Sequence, residues 1–121
     1  MKNNYKWLGE FCLTMLGSTT DYKEEWAADR YLVGGKMFAM STTHSDGRPI
    51  ITLKLEPTFG VLLREQYEDI IPGYYMNKDH WNSLYLDGSV PNDVAETMVK
   101  ESHKLIFESL TKKLQKEIAG E

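Results

Sequence analysis

The chain has 121 residues, a formal net charge of −4 at pH 7 and a pI near 5.4. This length predicts one soluble domain, residues 1–121, large enough to bury a core without disulfides or a structural metal. The longest strictly apolar run spans only residues 37–40. The sequence therefore predicts neither a membrane-spanning helix, which needs about 20 apolar residues, nor a secretion signal. Cys12 is the single cysteine, which excludes an internal disulfide and a site of several thiolates, and favours a reducing, cytoplasmic location.

The first half of the chain predicts one helix followed by an antiparallel meander of strands. Apolar residues recur at helical spacing over residues 3–16, and Gly17 ends that pattern because glycine tolerates a left-handed helix end. Short β-branched or aromatic runs then predict strands at Trp26 and at residues 31–33, 37–43 and 50–55. Turns at Gly34-Gly35 and over residues 45–49 separate the last three of these.

The second half predicts a short helix, a further strand and a long closing helix. The short helix spans residues 57–66, a turn follows at Pro72-Gly73, and residues 83–86 form the strand. Apolar residues then fall at multiples of four, which predicts one long helix carrying Val94, Met98, Ile106, Leu110, Leu114 and Ile118. Ser102 lies in the same row, so we expect it to be partly buried, with its hydroxyl bonded to a carbonyl of its own helix.

The order of these elements predicts an α+β domain. Each terminal helix carries one apolar stripe, and such a stripe has to be buried against another layer. One face of an antiparallel sheet supplies that layer. We therefore expect an antiparallel β-sheet covered on one face by the N-terminal and C-terminal helices.

The sequence carries no familiar enzyme signature. It contains no glycine-rich phosphate loop and no HExxH, CxxC or GxSxG motif. His44, His80 and His103 are too irregularly spaced to converge on one metal, and we expect His103 at the surface or at the boundary of the core. Asp79-His80 resembles an acid–base pair, but neighbouring strand residues point to opposite faces, which favours a structural role. The sequence thus predicts no enzyme, no cofactor and no metal site.

Charged residues cluster in two stretches. The first mixes both signs, which is typical of a solvated face rather than a cation site. It contains Asp21, Lys23, Glu24, Glu25 and Arg30. The second, residues 54–87, combines cations with planar rings, which can contact phosphates and bases. Acids outnumber Lys and Arg by two over residues 44–82, however, and aromatic residues of a small domain usually belong to its core.

Long stretches of distinctive sequence run through the second half of the chain. They are Lys54-Leu55-Glu56-Pro57, LREQY at 63–67, PGYYMNKDHWN at 72–82, LDGSVP at 86–91 and the helical Ser102. With these elements the chain resembles the MmcQ/YjbR family of small bacterial proteins. The resemblance implies a sandwich similar to the fold of CyaY, and DNA binding through a double-wing arrangement. The family's recurrent polar positions fall on Lys54, Arg64, Lys78, His80, Trp81 and Asn82, and the aromatic residue that often follows its helical serine is His103 here.

The leading hypothesis is therefore a noncatalytic, monomeric, cytoplasmic domain with DNA as the partner implied by the resemblance. Phosphate contacts would come from Lys54, Arg64 and Lys78. The residues that shape the surface or meet a base would be His80, Trp81 and Asn82. Because the chain is net acidic, we expect weak or local binding rather than strong nonspecific binding to a duplex. The alternative is a small anionic ligand or a protein partner, held in a cleft lined by Arg64, Tyr74, Lys78, His80 and Trp81.

Overall fold

Six antiparallel strands form one sheet in the computed structural model, which describes residues 2–73 and 76–121. The strands are β1 (Ser18–Lys23), β2 (Ala28–Val33), β3 (Lys36–Thr43), β4 (Pro49–Lys54), β5 (Ile70–Pro72) and β6 (Trp81–Tyr85). The helices are α1 (Leu8–Leu13), α2 (Pro57–Gln66), α3 (Asn92–Glu108) and α4 (Lys112–Ala119), and a 3-10 turn covers Glu24–Trp26. Neighbouring strands follow the order β1-β2-β3-β4-β6-β5, so β1 and β5 form the two edges.

The hydrophobic core lies between the sheet and the helices. α3 packs across β3 and β4 and also contacts α1, which reaches β1. Fully buried core side chains come from both layers, and they include Leu8, Phe38, Leu53, Leu84 and Met98. This arrangement confirms the predicted α+β fold with the terminal helices against one sheet face. Among the described residues, no helix is long and apolar enough to span a bilayer.

The first helix is shorter than predicted, and an unpredicted strand follows it. Asn4 N–H donates to the Leu86 carbonyl, and the Tyr5 hydroxyl donates to the Val90 carbonyl, so contacts with a distant loop hold this part of the chain. Residues 18–23 pair along their whole length with β2. Four of the six side chains of β1 are exposed, because β1 is an edge strand that the helices cover only in part. Its sequence therefore lacks the apolar alternation that predicts a strand.

Two further boundaries differ from the prediction. Trp26, expected in a strand, ends the 3-10 turn, and the left-handed Ala27 (φ 49°) leads from there into β2. Pro72, expected in a turn, ends the edge strand β5, where proline is tolerated because an edge position does not require its missing N–H.

The long closing helix is in fact two helices. α3 ends at Glu108, and α4 begins after Thr111, whose hydroxyl accepts a hydrogen bond from Leu114 N–H. Leu110 fills the break and is buried, while Leu114 and Ile118 still pack against the core. The apolar period continues across the break because all three side chains meet the same core, and so the sequence pattern does not reveal the interruption.

Ser102 is fully buried, but its hydroxyl does not bond its own helix, so that prediction was wrong. The hydroxyl donates to the Phe38 carbonyl of β3 (2.5 Å) and accepts from Lys54 N–H of β4 (2.8 Å). The ladder between these strands begins at the next pair, Ala39 and Leu53, and the β2–β3 register shifts beside Phe38. Ser102 therefore occupies the place of a missing ladder hydrogen bond, which is a stronger use of the hydroxyl than back-bonding.

His103, which we expected at the surface or at the boundary of the core, is buried, with 9 % of its surface exposed. Its Nε2 is 2.7 Å from the Leu16 carbonyl, which follows α1. The imidazole stacks on Phe107 and meets Phe38 edge to face, with ring centroids 6.0 and 5.2 Å apart. His103 thus takes the packing role of the aromatic residue that the family resemblance placed here.

Candidate functional site

The six residues predicted for recognition are divided by the sheet. Lys54 of β4 pairs with Trp81 of β6, and the next pair along the ladder is Leu53 with Asn82. Leu53 and Asn82 are both fully buried on the helix side. Since successive strand residues point to opposite faces, Lys54 belongs to the other face, which we name the outer face. Lys54 and Asn82 therefore do not share one recognition surface.

Arg64 and Asn82 do meet, on the helix side. The α2 residue Arg64 donates from Nη1 to Asn82 Oδ1, and Asn82 Nδ2 donates to the His80 carbonyl. Gly60 allows this approach, since a Cβ there would lie 3.0 Å from Asn82 Nδ2 and 3.2 Å from Arg64 Nη1. Because Asn82 is 0 % exposed, its contribution is to hold the half-buried Arg64. In the described part of the chain, Arg64 has no carboxylate within 4 Å.

The helix that carries Arg64 is fixed at its start by a matched pair of residues. Pro57 begins α2, and the Glu56 carboxylate accepts a hydrogen bond from Phe59 N–H. Backbone hydrogen bonds at the helix start, with a smaller contribution from nearby His80, lower the pKa of Glu56. Arg64 lies in the last turn, where a positive charge favours the helix dipole. The guanidinium is thus presented from a well-capped helix.

Lys78 and His80 lie in a turn before β6. His80 N–H and Trp81 N–H both donate to the Asn77 carbonyl, and the Asn77 side chain accepts from Asp79 N–H. Lys78 and Asp79 are exposed and His80 is half-buried. Trp81 packs, partly buried, against the hydrophobic core. Tyr74, predicted for the ligand cleft, lies outside the described residues.

A cavity of about 480 Å³ opens on the outer face of the sheet. Its described lining consists of Trp26, Met40, Thr42, Thr43 and Met76. Met40 and Thr42 alternate along β3 and form the floor, while Trp26 approaches from the turn between β1 and β2. The Thr42 hydroxyl donates to the Ala27 carbonyl (3.0 Å), which fastens that turn to the sheet. Trp26 nevertheless remains 50 % exposed.

The floor continues as a row of small hydroxyl side chains. Met40 pairs with Thr52, and Thr52 pairs with Ser83 across β3, β4 and β6. The Thr52 and Ser83 hydroxyls hydrogen-bond each other at 2.7 Å, and both residues are buried. Each of the two hydroxyls therefore has a hydrogen-bond partner in this part of the floor.

The rim beside Trp26 carries acids and bases that are already paired. Arg30 binds both carboxylate oxygens of Asp21, at 2.8 and 2.6 Å, and Lys23 lies 3.3 Å from Glu25. The hydrogen bond from Arg30 lowers the pKa of Asp21. The cationic groups of Lys23 and Arg30 also lie 5.4 and 5.8 Å from the Trp26 ring centroid. The acids of this stretch are exposed, which confirms the prediction of a solvated face.

A second polar cluster, which the sequence did not indicate, ties three loops together. Arg48 binds Asp87 through Nε and Nη2 and reaches Asp69 at 3.3 Å. Its guanidinium carbon lies 3.5 Å from the Tyr85 ring centroid, and the Tyr85 hydroxyl donates to Asp46 at 2.6 Å. The members come from distant parts of the sequence and lack a shared motif. Every cluster member named here has a partner, and these paired groups stabilise the positions of the loops relative to one another.

The described residues contain no group of three or more His, Cys, Asp or Glu side chains placed to hold a metal ion. Cys12 is buried in the core, and burial raises the pKa of its thiol to about 12. A thiol with that pKa is a poor nucleophile at neutral pH.

Comparison with known proteins settles the family. A sequence model of the YjbR family matches residues 13–105. The chain belongs to the YjbR family. It is 33 % identical over 95 residues to the uncharacterized protein YjbR of Escherichia coli K12, covering 78 % of this chain and 80 % of that protein. It is 34 % identical over 90 residues to the uncharacterized protein YbdF of Escherichia coli O157:H7, covering 74 % and 73 %.

Solved structures of similar shape share this fold. The crystal structure of Deinococcus radiodurans DR2400, a DUF419 domain, superposes with a TM-score of 0.84 at 27 % identity, covering 97 % of this chain and 88 % of that one. A Pseudomonas syringae protein superposes with a TM-score of 0.71 at 20 % identity, covering 87 % and 99 %, which shows the fold alone. The family and the α+β fold implied by the sequence resemblance are therefore confirmed.

Proposed function

We propose that this YjbR-family protein is a noncatalytic, monomeric, cytoplasmic binding protein that takes a small molecule in the outer-face cavity. The observation that carries the proposal is the cavity itself, about 480 Å³ between Trp26 and Met76. This volume falls within the roughly 300–1,000 Å³ of ligand sites, which have mostly apolar walls and a few polar groups. An indole and two thioethers supply the walls, and Thr42 and Thr43 supply the polar groups.

The exposure of Trp26 supports the proposal. A tryptophan that is half exposed beside a cavity leaves a large apolar surface in water, and a bound ligand would remove that surface from solvent. Without a ligand, the backbone beside the indole is already fastened to β3, because the Thr42 hydroxyl donates to the Ala27 carbonyl. A site prepared in this way loses little conformational entropy on binding.

The cavity differs from the cleft predicted from sequence. Among the described residues of the stretch 54–87, Met76 lines the cavity, whereas Arg64 belongs to the helix side and the other described lining residues come from β3 and from the turn before β2. Small-molecule binding is therefore retained, at a different place and with a more apolar lining than the anionic-ligand hypothesis assumed.

The test uses 2-naphthylmethanol, an uncharged bicyclic probe, and protein labelled with ¹³C at the methionine methyl groups. Ring currents of a bound probe should shift the Met40 and Met76 signals, assigned from Met40→Leu and Met76→Leu variants, and leave the core residue Met98 unchanged. Trp26→Ala should abolish the shifts. The matched control is Tyr22→Ala, which removes another exposed ring, 58 % accessible, on the opposite side of β1. Absence of shifts, or equal shifts in Trp26→Ala, would contradict the proposal.

Nucleic-acid binding is a second candidate, which Arg64 favours. Its guanidinium is partly exposed and is oriented by Asn82 rather than neutralised by a carboxylate among the described residues. A cation presented in this way suits a phosphate oxygen. The net charge of −4 limits such binding to a few phosphate contacts.

The test is fluorescence anisotropy of labelled duplex and single-stranded DNA over a salt series. If Arg64 contacts one phosphate, Arg64→Ala should weaken binding and reduce the salt slope by about 1. Lys113→Ala is the control, because Lys113 is an exposed cation on α4, away from Arg64. No binding at low salt, or the same slope in both variants, would exclude this candidate.

A further inference from the structure

We infer that the outer-face cavity selects a flat aromatic ligand that is uncharged or cationic and discriminates against the same ring carrying an anionic group. The inference rests on the proposed small-molecule function and adds the chemical class of the ligand. It reverses the charge expected from sequence, where the alternative was an anionic ligand.

The lining favours an aromatic ring. Trp26 offers an indole, and aromatic rings attract each other in offset or edge-to-face contact. Met40 and Met76 offer thioethers, whose polarizable sulfur also favours contact with aromatic rings. The buried Thr52 and Ser83 hydroxyls beside Met40 hydrogen-bond each other, so neither lacks a partner within the protein. Among the described lining residues, Trp26, Met40 and Met76 therefore each offer an aromatic ring a favourable contact.

The charges of the rim disfavour an anion. The two cations beside Trp26 are engaged, Arg30 by two hydrogen bonds to Asp21 and Lys23 by Glu25. An anionic ligand would have to displace a carboxylate of the protein to gain either of them. Glu24 adds a further exposed negative charge next to these pairs. Beside Trp26 the described part of the rim thus carries three acids, Asp21, Glu24 and Glu25, against two bases, within a chain that is itself net negative.

The same rim charges favour a cationic ligand. The acidic rim attracts it, and the electron-rich face of an indole stabilises a nearby cation, as it already does for Lys23 and Arg30 at 5.4 and 5.8 Å. These contacts require no pair to be broken. We therefore expect the order of affinity to be cation, then neutral ring, then anion.

The experiment compares three probes that share one ring: 2-naphthylmethylamine, 2-naphthylmethanol and 2-naphthoate. Dissociation constants come from the Met40 and Met76 methyl shifts at pH 7. At low salt the amine should bind about fivefold more tightly than the carboxylate, the size expected for one solvent-exposed charge contact, and the ratio should shrink at 0.5 M salt.

Charge-reversing variants check that the rim is the cause. The double variant Glu24→Lys/Glu25→Lys should invert the order, so that the carboxylate binds more tightly than the amine. Glu117→Lys on α4 is the matched control and should leave the order unchanged. If none of the three probes moves the Met40 and Met76 signals, the proposed function fails. If the probes bind with equal affinity, or the carboxylate binds best to the unmodified protein, the charge inference is overturned while the small-molecule function stands.

Discussion

One hydroxyl group, that of Ser102, joins α3 to two strands at once. It donates to the buried Phe38 carbonyl at 2.5 Å and accepts from Lys54 N–H at 2.8 Å. In Ser102→Ala both backbone groups lose this partner while the helix stays above them. A buried polar group left unsatisfied costs about 1–3 kcal/mol. Since the Lys54 end is only partly buried, we expect a total loss of roughly 2–4 kcal/mol in the free energy of unfolding.

The matched control is Ser109→Ala, the same substitution at the C-cap of α3. The Ser109 hydroxyl donates to the Ile106 carbonyl of its own helix at 2.6 Å, and the residue is exposed. This is the kind of bond that we predicted for Ser102. Because water can replace it, its loss should cost less than about 0.5 kcal/mol.

Urea unfolding at pH 7, followed by circular dichroism, measures both variants. We expect a lower midpoint with an unchanged slope for Ser102→Ala, and a melting temperature roughly 10 °C below that of the parent. If Ser102→Ala and Ser109→Ala were equally mild, the hydroxyl would not be replacing a ladder bond and the reasoning would be refuted.

Three further predictions concern packing and titration. Gly60→Ala should destabilise the protein by about 1–2 kcal/mol, because the new methyl group would press on Asn82, and urea unfolding measures this. The hydrogen bonds from Arg48 lower the pKa of Asp87 below its ordinary value of 3.8, so the stability they contribute is complete above that value and is lost as the pH falls through the lowered pKa. The melting temperature of Asp87→Asn should therefore fall less steeply than that of the parent when the pH drops below about 4. Buried Cys12, with its pKa raised to about 12, should resist a thiol reagent at pH 8 until urea unfolds the chain, and rapid labelling of the native protein would contradict this.

The predictable part of the fold is the part with clear local sequence signals. β3, β4 and α2 match their expected positions to within about two residues, because β3 and β4 are apolar, β-branched runs bounded by turn residues and α2 begins at Pro57. β1 was missed because most of its side chains are exposed, so this edge strand has no apolar alternation. The break between α3 and α4 was missed for the opposite reason, since Leu110 keeps the apolar period going where the helix stops.

The candidate site was less predictable, because it depends on register and on a sheet face that lacks a motif. The resemblance singled out Arg64 and Asn82, but only the pairing of Asn82 with Leu53 shows that Asn82 points into the helix side and holds Arg64 there. Of the cavity lining, Trp26 and Met40 lie far from Met76 in the sequence. The one local signal was a tryptophan among charged residues, which predicts exposure better than it predicts a strand.

The position of the two candidate surfaces on opposite faces makes them energetically separable. Arg64 approaches Asn82 from the helix side, whereas Trp26 borders a cavity on the outer face, and no residue of the cavity lining contacts Arg64 among the described hydrogen bonds and ion pairs. Changes at distant sites without shared partners usually add to within about 0.5 kcal/mol. Trp26→Ala should therefore leave any DNA affinity unchanged, and Arg64→Ala should leave naphthyl binding unchanged. A variant that weakened both DNA binding and naphthyl binding would mean that one ligand spans the end of the β4–β6 ladder, where Lys54 and Trp81 pair.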